Sequence, residues 1–242
     1  VEKVVEEVRS IDNQRLFLVD NSLAQDTDWE RELFKALAPL ERTFISHPIE
    51  AKDEILDLAR KAGAWYVYQA IPKVTEEITD RIRRYHDHGI GVEGTIILGT
   101  DDQDEDGLRR LVDFCLEVEL DMAEFTVLTP FAHSPYRAEL ERQGRILNDD
   151  LIQYTGDKVV FQPKRMSPNK LQDLYYWAWE HFYGENGRQV RMARLLRRAL
   201  ERERSRTGAT RRLREPRRWR DGDPAHRSAA APDPTSSGDA EP

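Results

Sequence analysis

Apolar positions along the first 145 residues switch repeatedly between two periods. Val1, Val4, Val5, Val8 and Ile11 recur at helical spacing, so the chain opens on an amphipathic helix. Residues 16–19 are a short apolar run ending at Asp20 and Asn21, which predicts a buried strand with a polar tip. Asp28 is placed to cap a helix carrying Trp29, Leu33, Leu37 and Leu40 on one face. A strand over 43–47 follows, then a helix marked by Ile55, Leu58, Ala59 and Ala62 and stopped by Gly63. Further strands are expected over 65–71, 92–98 and 124–128. The helices between them carry Ile78, Ile82 and Tyr85, stopped by Gly89, and then Leu108, Leu111, Val112, Cys115 and Val118. Strands alternating with helices in this way predict a parallel sheet built from crossovers.

Two parallel architectures compete, and the strand interiors separate them. Glu93 and Thr95 share one face of the fourth strand, and Glu124 and Thr126 share one face of the fifth. A doubly wound sheet is covered by helices on both faces, and its strands are apolar almost throughout. A barrel whose interior takes a polar ligand puts polar residues on its inward face. The expectation is therefore an α/β fold with a partial (β/α) barrel over residues 1–145.

After Gly144 the pattern changes. Residues 159–161 read as one more strand, and Ser167-Pro168 as the cap of a helix with Leu171, Leu174, Tyr175, Ala178 and Phe182 on one face. Tyr175, Tyr176, Trp177, Trp179, Phe182 and Tyr183 crowd that helix, more than one buried face absorbs, so it packs across the barrel wall or meets a partner. Residues 146–204 form a C-terminal extension in this reading, and 205–242 an Arg-, Ala- and Pro-rich disordered tail.

Charge divides along the same line. The chain carries a net −8, yet residues 188–220 hold 14 Arg against Glu201, Glu203 and Glu215. An acidic body precedes a basic extension, and the average conceals both. The stretch from Arg188 to Arg220 has the charge to contact nucleic-acid phosphates. With only Trp219 interleaved among the arginines, a solvated extension is the simpler reading. No run of about 18 apolar residues is present to span a membrane. Cys115 stands alone, which excludes an internal disulfide and any cysteine-held cluster on this chain; together with the lack of an apolar leader it matches a cytoplasmic setting.

Several motifs have bland explanations. Asp102-x-Asp104-x-Asp106-Gly107 fits half of a calcium loop, but Arg110 and Asp113 break the second half, leaving an acidic helix start. His86-Asp87-His88-Gly89 suits a helix end. His133 and His181 have no partner visible in sequence, and Cys115 lies on an apolar helix face as a small hydrophobe. No metal-ligand set emerges.

Taken in chain order, several segments resemble one family, the radical SAM proteins, and within it the cobalamin-binding subgroup. Val-Glu-Lys-Val-Val-Glu-Glu-Val at 1–8 resembles the family's first barrel helix, which follows its C-x-x-x-C-x-x-C loop. Leu16-Phe17-Leu18-Val19-Asp20-Asn21 is similar to its second strand with an acidic tip. Gly94-Thr95-Ile96-Ile97-Leu98-Gly99-Thr100-Asp101 resembles its fifth strand and the glycine turn after it. Leu128-Thr129-Pro130-Phe131, Ser134-Pro135 and Gly144-Arg145-Ile146 resemble the sixth strand and its exit, and Met166-Ser167-Pro168 the start of the C-terminal helix.

The resemblance implies the S-adenosylmethionine-binding portion of an enzyme that cleaves this cofactor at a four-iron four-sulfur cluster. The cluster loop is absent from the chain, which is expected to be a C-terminal fragment and inactive alone. A parent protein would supply the cluster, receive its electron from a reductant protein, bind cobalamin if it follows the subgroup, and act on a small-molecule substrate. Asp20, Asn21, Gln69, Glu93, Thr95, Gly99, Glu124 and Thr129 become the candidate cofactor-binding residues, near the strand C-terminal ends where such barrels place their sites. Tyr68-Gln69-Ala70-Ile71 stands where many members carry Gly-Ile-Glu-Ser, a departure that touches Gln69 directly. Two other readings stay open: a cluster-less module that binds S-adenosylmethionine or a partner, and an ordinary α/β-barrel enzyme. Without a strand before it, the segment 16–19 is expected to be a bare sheet edge, making the chain dimeric or prone to aggregate.

Overall fold

The computed structural model of the chain describes residues 1–184 and 187–207, with side chains up to Leu200 except that of Ala199. Val1–Glu203 form one compact unit. Helix α1 (Glu2–Ser10) precedes strand β1 (Arg15–Leu18), and then α2 (Thr27–Leu37), β2 (Thr43–Ser46), α3 (Asp53–Ala62) and β3 (Ala64–Ala70) follow in turn. Next come α4 (Glu76–Asp87), β4 (Gly91–Leu98), α5 (Glu105–Glu117), β5 (Met122–Val127) and α6 (Pro135–Arg142). Two long helices, α7 (Pro168–Tyr183) and α8 (Gly187–Thr207), close the described part.

All five strands are parallel and lie in the order β1-β2-β3-β4-β5. That order decides the architecture. Right-handed crossovers between strands that are sequential in space put every helix on the same face, whereas a doubly wound sheet needs the order to reverse. The sheet is therefore the wall of a partial barrel, with helices outside and one face left open.

Local chemistry sets the element ends. Asp26, not Asp28, caps α2: its carboxylate accepts from the backbone N–H groups of Asp28 and Trp29, so the helix begins two residues before the sequence-based expectation. Thr75, Asp104, Ser134 and Ser167 cap α4, α5, α6 and α7 in the same way. Gly63 ends α3 at φ +122°, and a Cβ there would lie 2.1 Å from the Arg42 carbonyl oxygen. Only glycine fits.

The helix-covered face holds the core. Val67, Val92, Ile96, Phe125 and Val127 point into it and meet Leu56, Ile82, Leu111 and Phe114 from the helices. The expected extra strand at 159–161 does not form. Phe161 makes only an isolated antiparallel bridge to Ile146, because the outer edge of β5 is already taken. The Tyr183 hydroxyl donates to the Ala123 carbonyl (2.7 Å) and accepts from the Ala123 N–H (2.8 Å), while the Val127 N–H donates to the Gly156 carbonyl (2.6 Å). The aromatic helix α7 thus packs on α5 and seals β5, with Trp179 and Phe182 edge-on to Phe125.

Helix α8 was not foreseen. Its Arg198 pairs with buried Asp121, which also accepts from the Val92 N–H (2.9 Å) and faces His86 (3.2 Å). Arg194 pairs with Glu119 at 3.1 Å, and the Arg191 guanidinium lies 3.9 Å from the centre of the Phe182 ring. Arginines that read as solvated or phosphate-binding in the sequence thus brace the N-terminal end of the sheet. The expected disordered tail begins inside α8, and from residue 208 onward it lies outside the described residues. Among the described residues no helix is long and apolar enough to cross a membrane.

Candidate functional site

Strand register fixes which side chains share the open face. Tyr68, Glu93 and Met122 stand in one row across β3, β4 and β5, and Ala70, Thr95 and Glu124 in the next. Because side chains alternate along a strand, Tyr66, Ile97 and Thr126 join them, with Phe17 and Ile45 from β1 and β2. His47, just past the end of β2, stacks on Phe17 with ring centroids 5.8 Å apart. The face is polar toward β5 and aromatic toward β1.

Glu93, Thr95 and Glu124 are brought together as the sequence implied, with Thr126 beside them. Glu93 is half-buried and Glu124 exposed. The Tyr66 hydroxyl donates to Glu93 Oε2 at 3.1 Å. Burial pushes the Glu93 carboxyl above the usual carboxylate range; the Tyr66 hydrogen bond opposes this and the charge of Glu124 adds to it. Burial likewise raises the Tyr66 phenol, and the adjacent Glu93 adds to the shift. Among the described residues no Lys, Arg or His lies within ion-pair distance of either carboxylate. Two neighbouring carboxylates without an internal cation favour a cationic ligand on that face.

Other candidates go elsewhere. Gln69 lies off the open face: it is buried among helix-side residues, in register with Gly94 and Ala123. Its Nε2 donates to the Ala70 carbonyl, and its Oε1 has no hydrogen-bond partner. The two-residue period of β3 sends Tyr68 to the open face and Gln69 away from it. Gly99 lies in the turn directly after β4. Its φ of +97° and missing side chain serve packing, since a Cβ there would lie 2.5 Å from Leu171 Cδ2 of α7. Its N–H donates to Gln103 Oε1 at 2.7 Å and is not free for a ligand. Asp20 and Asn21 are exposed just beyond β1, where Asp20 Oδ1 accepts from the Asn21 N–H. The Thr129 hydroxyl donates to the Val127 carbonyl at 2.9 Å, an internal turn contact past β5.

The acidic stretch at 102–106 is a helix start: Asp104 caps α5 and Asp102 accepts from the Thr100 hydroxyl. Among the described residues no group of three His, Cys, Asp or Glu is arranged to hold a metal ion. Cys115 is buried, its thiol bonded to the Leu111 carbonyl and pushed up to about 12 by burial. One such cysteine gives an iron–sulfur cluster no ligand set. Sequence reading missed the ring cluster of Phe17, His47, Tyr66 and Tyr68. The two-residue spacing of Tyr66 and Tyr68 was the available signal, but aromatic residues in a strand read first as core.

No protein-family model matches the chain. A curated relative, the bacteriochlorophyllide d C-12(1)-methyltransferase of Chlorobaculum tepidum, is 24% identical over 195 aligned residues, taking in 74% of this chain and 42% of that protein. The chain thus spans less than half of that relative. Among solved structures it is similar to the radical S-adenosylmethionine methyltransferase TsrM of Kitasatospora setae with cobalamin and a four-iron four-sulfur cluster bound. There the TM-score is 0.52 at 15% identity, covering 77% of this chain and 41% of that one. The same enzyme with tryptophan and an aza analogue of S-adenosylmethionine matches at TM-score 0.50 and 13% identity, over 59% of this chain and 32% of that one. At these identities the likeness to TsrM is one of fold: an α/β partial barrel of parallel strands.

Proposed function

We propose that this chain is the S-adenosylmethionine-binding barrel of a radical SAM-type methyltransferase acting on a small-molecule substrate. The observation that carries the proposal is the Glu93–Glu124 pair, unneutralised on the open face of a parallel sheet in barrel order. S-adenosylmethionine presents a sulfonium and an ammonium, the charges that such a pair attracts. The likeness to TsrM and the methyltransferase relative in Chlorobaculum tepidum support the same reading. When bound, this cofactor supplies a methyl group or, after reductive cleavage, a radical; the residues here bind and orient it. Glu93, steadied by the Tyr66 hydroxyl, and Glu124 would face its positive charges, and Thr95 and Thr126 would offer hydroxyls to its polar groups. The cluster finds no ligands on this chain and no residue is assigned to cobalamin, so catalysis belongs to a longer parent.

Calorimetric titration tests the reading. S-adenosylmethionine should bind at least about tenfold (about 1.4 kcal/mol) more tightly than S-adenosylhomocysteine, which lacks the sulfonium. Glu93→Gln and Glu124→Gln should each erase most of that preference. Only ionised Glu93 attracts a cation, and its folded pKa is raised. Binding of S-adenosylmethionine should therefore weaken on acidification at a higher pH than for a free glutamate, about 4.3, and its preference over S-adenosylhomocysteine, which keeps only the ammonium, should shrink over the same range. Equal affinities for the two compounds in the unmodified chain would refute the proposal.

A further inference from the structure

The open face has two halves, and only one suits a polar cofactor. β4 and β5 contribute Glu93, Thr95, Glu124 and Thr126. β1, β2 and β3 instead contribute rings. Phe17 and Tyr68 stack at 5.5 Å and 28°, Phe17 and His47 at 5.8 Å and 20°, and His47 and Tyr68 lie 5.6 Å apart at 30°. Tyr66 meets Tyr68 edge-on at 6.0 Å and 82°, so its hydroxyl bonded to Glu93 joins the two halves.

These rings are not core. Phe17 remains 45% exposed, and His47 and Tyr68 are half-buried. All three stand on the face that the crossover helices leave open. A solvated sheet face ordinarily carries polar side chains, and a contiguous apolar patch on it marks a binding surface. Here three near-parallel rings stand 5.5–5.8 Å from one another in a compact cluster, a surface that a further flat ring can stack against. Its neighbours Glu93 and Glu124 repel anions, so the complementary ligand is flat and neutral or cationic.

Resting on the function proposed above, we infer that the Phe17–His47–Tyr68 cluster is a platform for the flat conjugated ring of the substrate, beside a cofactor on the β4–β5 half. An adenine ring has the same stacking chemistry, and the test separates the two sources. The full chain is titrated with 2-naphthamide and with its saturated decahydro analogue, matched in size and charge, and followed by NMR shifts of the Phe17 and Tyr68 rings. The flat compound should bind about tenfold more tightly. Tyr68→Leu and Phe17→Leu should abolish that preference, Tyr68→Phe should keep it, and melting curves identify any variant that fails to fold. With saturating S-adenosylmethionine present, the flat compound should still bind. Displacement by S-adenosylmethionine would give the ring cluster to the nucleobase and overturn the substrate assignment. Equal binding of the flat and saturated compounds, or a preference that survives Tyr68→Leu and Phe17→Leu, would overturn the platform itself. If the flat compound is preferred but S-adenosylmethionine does not bind at all, the cofactor reading fails and the ring platform stands.

Discussion

Glu30 sits on the buried side of α2 with no solvent exposure. One carboxylate oxygen accepts from the Glu50 N–H at 3.1 Å, and the other has no hydrogen-bond partner. Burial, the largest influence, raises its pKa to about 7. The unfolded chain ionises this group near the ordinary glutamate value while the folded chain still holds the proton. Stability is therefore full below that value, falls as pH rises toward about 7, and stays reduced above it. Glu30→Gln keeps an acceptor for Glu50 and removes the ionisation. It should raise the melting temperature at pH 8, by up to about 3 kcal/mol of stability, and change little at pH 4; thermal melts at the two pH values check this. Nothing in the sequence marked Glu30, because a lone carboxylate in a helical pattern is normally on the solvated side. Gln69 escaped for a related reason. Its strand is apolar or aromatic at nearly every position, so the phase of the alternation is unreadable until the neighbouring strands fix the register. Glu93 and Glu124 were legible because each is the one charge in its strand, with a threonine two residues on marking the same face.

Strands and crossover helices came through the sequence well, since the switch between a two-residue and a 3.6-residue period survives in every unit from α1 to β5. Beyond β5 the helix capped by Ser167 was read as it stands, but the rest was not. Residues 159–161 have the composition of a strand, but a strand needs a free edge, and the β5 edge is held by Tyr183 and Gly156. Helix α8 was hidden because its inward face is made mostly of arginines, with Leu195 against Gly91 as its apolar member. The aromatic crowding of α7 has a physical reason: Trp179, Phe182 and Tyr183 cover a sheet edge and the core at once. Tyr183→Phe should cost about 1–3 kcal/mol, because it strips both partners from the Ala123 backbone. Amide exchange at Ala123 and Val127 should speed up more than exchange in β2, and denaturant melts give the magnitude.

The two margins of the sheet differ. β5 is sealed, while among the described residues β1 pairs only with β2 and leaves its outer side unmatched. A groove of about 440 Å3 runs along that margin, lined in part by Val8, Ile11, Phe17, Val19 and Trp29. Unpaired strands recruit other strands. The full chain should therefore self-associate with rising concentration in light scattering, and Phe17→Lys together with Val19→Lys should return it to monomer. A monomer at all concentrations in the unmodified chain would contradict this.

Arg191, Arg194 and Arg198 have a consequence for the basic region. Their guanidinium groups already hold Phe182, Glu119 and Asp121. A polyanion could recruit those three only by prising them from the underside of the sheet. Coupling of this kind is mutual: the firmer the chain's grip on its own underside, the poorer these arginines are as a handle for RNA or DNA.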